Sequence, residues 1–91
     1  MIKTYEEFSE VLDRRYRELK PIKWKYPYLL SEEGKKTADA YSDLVSEAQY
    51  HNDLKEFAND EDVKKILEQY KDCKQVSLIA SFLKKQIGNP N

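Results

Sequence analysis

Apolar side chains recur at intervals of three and four along most of the chain, the spacing that places them on one face of an α-helix. Tyr5, Phe8, Leu12, Tyr16 and Leu19 open the series, and Thr4 with Glu7 forms a capping-box pattern at its head. A first helix is predicted over residues 5–20. Pro21 lacks an amide donor and disfavours helical geometry at Lys20, so the helix is expected to stop there.

Across residues 21–30 the period changes. Ile22, Trp24, Tyr26 and Tyr28 alternate with Lys23, Lys25 and Pro27, which predicts an extended aromatic connector. A lone strand would leave its backbone groups without partners, so the segment is expected to lie irregularly over the helices. Ser31 then supplies a cap, with Glu32 and Glu33 at the positive end of the next helix dipole. Ala38, Tyr41, Leu44, Val45, Ala48, Leu54, Phe57 and Ala58 carry this helix from residue 32 to 58, with a break plausible at His51-Asn52-Asp53. Asn59-Asp60-Glu61-Asp62 repeats the cap-plus-acid signal before a last stripe from Val63 to Ile87, and Gly88 and Pro90 are expected to end it. Leu78 and Phe82 fall off that stripe and widen it, which predicts two neighbours for the last helix.

If the segments 32–58 and 60–87 were each unbroken they would span about 40 Å at roughly 1.5 Å per residue, longer than a small globule is wide. Either they break, giving a bundle of up to five short helices, or a second copy of the chain covers what the first helix leaves bare. The expectation is therefore an all-α bundle of three to five helices in one domain spanning residues 1–91, with a homodimer as one way of completing it.

Composition narrows the picture. Two glycines and three prolines among 91 residues are too few for short strands joined by tight turns. No apolar run approaches the roughly 20 residues of a membrane helix. The start, Met1 to Glu7, has no signal-peptide core, and the single cysteine, Cys73, has no internal partner, so a cytoplasmic location is expected. Lysine outnumbers arginine 13 to 3, a bias consistent with an AT-rich bacterial or phage genome.

Charge is segregated along the chain. Residues 1–30, 31–62 and 63–91 carry about +2, −7 and +4, which sum to the net −1. The middle helix is an acidic rod. Basic helices on either side would specify the packing order; alternatively Glu32, Glu33, Asp39, Asp43 and Glu47 present an acidic face to a basic partner.

Catalytic equipment is missing from the sequence: there is no phosphate loop, no Cys-x-x-Cys pair and no second histidine. No cofactor, metal or catalytic residue is expected. Asp43, Glu47 and His51 share helical spacing and could orient a histidine or contribute to a metal site, but a solvated polar face explains them as well. Cys73 lies on the apolar stripe and reads as a core residue.

The segment with the strongest claim to function runs from Arg14 to Tyr28. Arg14, Arg15, Arg17, Lys20, Lys23 and Lys25 face a single acid, Glu18, and are interleaved with Tyr16, Trp24, Tyr26 and Tyr28. The aromatics could cap an open end of the bundle. Exposed, the same residue types dominate protein-interface hot spots, or stack on nucleic-acid bases while the cations hold phosphates. The expected function is a non-enzymatic protein-binding module of the inhibitor, immunity or regulatory kind, with a nucleic-acid-binding accessory protein as the alternative.

Overall fold

The computed structural model describes residues 4–88. Thr4 caps the first helix by accepting the Glu7 amide at 3.1 Å, and the helix, α1, runs from Tyr5 to Lys25. It does not stop at Lys20. Pro21 lies inside it at an exposed position, four residues after the exposed Arg17 whose carbonyl loses its usual helical donor. The expected extended connector 21–30 is thereby corrected: residues 21–25 are helical, Tyr26 turns the chain, and Pro27–Leu29 form one 3₁₀ turn. Continuation past the proline is accompanied by a contact that sequence periodicity does not register, the ion pair of Lys23 with Asp39 on the next helix, and the last turn closes with the Tyr26 amide on the Ile22 carbonyl.

Ser31 caps α2, Glu32–Ala48, by accepting the Gly34 amide at 3.0 Å. The chain breaks at residues 49–53, where the sequence falters. Asp53 then caps α3, Leu54–Asn59, and Asp60 caps α4, Glu61–Gln69. A second break at residues 70–73 precedes α5, Lys74–Gly88. The continuous helix expected from 60 to 87 is thus two helices. Gly88 is the last residue of α5 rather than the residue after it, and Pro90 lies outside the described residues.

The Tyr5 hydroxyl donates to the Ala48 carbonyl at 2.6 Å, and Lys23 pairs with Asp39, so α1 and α2 form an antiparallel hairpin. Helix α4 returns along α2, from Asp60 beside Glu47 to Tyr70 beside Asp39. Helix α5 starts at Glu33, whose carboxylate accepts the Lys74 amide at 3.5 Å, and brings Phe82 to Phe8, stacked at 5.6 Å and 17°.

The main core joins Phe8, Leu12, Tyr41, Leu44, Phe57, Val63 and Leu83 at the end of the hairpin farthest from its tip. Short α3 plugs that end, its Phe57 meeting Phe8 and Tyr5 edge-on at 5.4 and 6.0 Å. A smaller cluster of Ala40, Cys73 and Val76 continues toward the middle. Cys73 is a core residue, with its thiol 3.9 Å from the Glu33 carbonyl. Phe82 finds its second neighbour in α1, whereas Leu78 stays exposed. Among the described residues no helix is long and apolar enough to cross a membrane.

Candidate functional site

The molecule measures 44 × 23 × 23 Å, and the closed end of the α1–α2 hairpin lies away from the main core. None of residues 20–32 is buried. Trp24, Tyr28, Leu29 and Tyr26 remain 78, 76, 67 and 49% exposed, in a protein that buries Phe8, Tyr41 and Phe57 almost completely. The Tyr26 and Tyr28 rings meet edge-on at 6.2 Å, which stiffens the turn between the helices. The tip therefore carries four exposed large apolar side chains, two of them in ring contact, rather than a capped end of the bundle. The aromatics were legible in the sequence; Leu29, which belongs with them, was not singled out because Leu29-Leu30 reads as an ordinary apolar pair.

The basic residues of the same segment divide. Arg17 pairs with Asp13, and Lys23 with Asp39 across the hairpin. Arg15 stands beside the Tyr41 hydroxyl; burial raises the pKa of that phenol, and the guanidinium partly offsets the rise. Lys20 lies over the Tyr16 ring at 5.5 Å. Arg14 and Lys25 are exposed and make no ion pair among the described residues.

The acidic residues of α2 do not present one common face. Glu32 pairs with Lys35, Glu33 meets the start of α5, and Asp39 pairs with Lys23. Asp43 is exposed and acts on Tyr70, whose pKa is raised first by burial and then by Asp43 and Asp39. Of these acids only Asp39 is paired with a cation from another helix; Glu32 is paired within α2, and Glu33 meets a backbone amide.

Glu47 stands apart from that row. Because α2 ends at Ala48, His51 does not extend the helical row of Asp43 and Glu47. It turns instead toward α4, where its Nε2 lies 2.7 Å from Asp60 Oδ2. Glu47 joins them, and one ligand-type atom from each of the three residues falls within 4.8 Å of the others. All three are half-buried. Asp60 is held below the ordinary carboxylate range, chiefly by its hydrogen bond to His51. Glu47 is held above it, by burial first and then by the hydrogen bond and charge of Asp60. Asp60 was visible in the sequence as a helix cap, but only the turn at 49–53 brings it to His51.

Comparison of the chain with protein-family models, with curated proteins and with solved structures gives no match in any of the three.

Proposed function

We propose that the protein is a non-enzymatic binding module that docks another protein through the hairpin tip, in an inhibitory, immunity-type or regulatory role. The observation that carries this reading is the exposure of Trp24, Tyr28, Leu29 and Tyr26 together on one small projection. Large aromatic anchors surrounded by charge are the residue types whose burial dominates protein–protein binding energy. Lys20 and Lys25 supply basic groups within about a turn of Trp24 on the same helix, which favours a partner with acidic groups around an apolar pocket. The acidic residues of α2 are secondary contacts in this reading, since they share no common face and Asp39 and Glu32 are already paired with Lys23 and Lys35.

A nucleic-acid-binding role draws on the same segment but has less support. Of Arg14, Arg15, Arg17, Lys23 and Lys25, which it would place on phosphates, Arg17 and Lys23 are engaged with Asp13 and Asp39, and Arg15 lies against Tyr41.

The test is affinity capture from nuclease-treated lysate of the native host, comparing the wild-type chain with Trp24→Ala/Tyr26→Ala. A stoichiometric protein retained by the wild type and lost by the folded variant is the expected result. Equal capture by both proteins overturns the tip as the docking site. Retention seen only in a parallel lysate without nuclease, and falling steeply with salt, establishes the other reading instead.

A further inference from the structure

We propose that Glu47, His51 and Asp60 form a binding site for one zinc-class divalent metal ion, joining the end of α2, the 49–53 turn and the start of α4. The donor set is one imidazole nitrogen and two carboxylate oxygens, drawn from three segments and gathered within 4.8 Å. Such a set suits borderline first-row ions, and three protein ligands leave a coordination position for water.

The geometry needs little adjustment. Ligands at about 2.0–2.1 Å from a tetrahedral ion lie about 3.3 Å from one another. The 2.7 Å contact between His51 Nε2 and Asp60 Oδ2 must open by about 0.6 Å. Side-chain rotation supplies movements of that size.

The surroundings hold two of the ligands as outer groups hold them in metal centres. Asp60 Oδ1 accepts the Asp62 amide at 2.8 Å, which leaves Oδ2 directed at the site. The His51 ring stands edge-on against Phe57 at 5.8 Å and 85°. His51 also borders an open recess with Glu6 and Glu10, so solvent reaches the ring.

Charge supplies the independent argument. Two half-buried carboxylates stand side by side, and the charged groups acting on Glu47 are Asp60, Asp62 and His51. No lysine or arginine pairs with Glu47 or Asp60 among the described residues. Among the described residues His51 is the one cationic-type partner the two carboxylates have, and a divalent ion seated among the three would meet both carboxylates at once.

The experiment uses the untagged full chain, stripped with chelator and titrated with zinc against a chromophoric competitor, with cobalt as a spectroscopic substitute. The expected result is one ion per chain, a visible cobalt spectrum of low coordination number, and a melting temperature that climbs with free zinc. Glu47→Gln and His51→Ala should each weaken binding by about 10–100-fold or more, while Asp43→Asn, one turn away on α2, leaves it unchanged. Glu47→Gln leaves the His51–Asp60 contact in place, so it remains informative if the histidine variant fails to fold. Absence of saturable one-to-one binding at millimolar zinc, or binding indifferent to Glu47→Gln, overturns the proposal.

Discussion

Tyr5 shows how much one side chain ties together. Its hydroxyl reaches the Ala48 carbonyl at 2.6 Å, satisfying a group at the C-terminal end of α2, while its ring packs on Phe57 and Phe8. Burial raises the phenol to about 12 from 10.0. The folded state therefore holds this proton more tightly than the unfolded chain, so the stabilisation is complete below pH 10.0 and is lost as pH rises toward about 12. Tyr5→Phe should lower stability by about 1 kcal/mol at neutral pH, the net value of one such hydrogen bond. It should also flatten the alkaline limb of a chemical-denaturation series run between pH 9 and 12, relative to wild type. An unchanged alkaline limb would assign that loss of stability to other groups.

At the level of the elements, α1 carries the main departure from sequence rules. A proline inside a helix removes a hydrogen bond and crowds the preceding turn, at about 3 kcal/mol in an unsupported helix. Here the hairpin holds the helix through Lys23–Asp39, and the last turn closes with the Tyr26–Ile22 backbone bond. Pro21→Ala should therefore restore a donor to the Arg17 carbonyl and stabilise the protein by about 1–3 kcal/mol, measured by denaturant unfolding, after allowing for the freer unfolded chain. A helix that ended at Lys20 would show little change. The break at 70–73 has a comparable explanation. Tyr70, Cys73, Val76 and Ile79 follow one another at steps of three, and each step slides the apolar face by about 60° on a straight helix. Breaking the helix re-aims the stripe, so that Cys73 and Val76 pack on Ala40 and Leu83 joins the main core.

For the whole molecule, the question is what closes the apolar surface. The expectation of a second copy rested on two long unbroken helices, and both break, so the chain buries its core within one bundle. Of the large apolar side chains left exposed, Trp24, Tyr26, Tyr28 and Leu29 lie at the tip, while Tyr50, Leu78 and Ile87 are spread over other segments. Trp24→Ala/Tyr26→Ala should consequently alter unfolding free energy by no more than about 0.5 kcal/mol, the range of ordinary surface changes. The helical circular-dichroism signal should stay intact while partner capture is lost. A drop of several kcal/mol would place these aromatics in the core and remove the basis of the proposed interface.

Local chemistry was readable from the residues alone. Thr4, Ser31 and Asp60 act as caps, and the three-and-four spacing of Phe8, Leu12, Tyr41 and Leu44 marks the buried faces, because both signals operate within a turn or two of the backbone. The break near residue 51 was legible for the same reason. Tertiary structure alone decided that α1 passes Pro21, that the tip aromatics face solvent, and that His51 meets Asp60 rather than extending the row of Asp43 and Glu47. Each of these depends on where a second segment returns in space, and no periodicity along the chain encodes that distance.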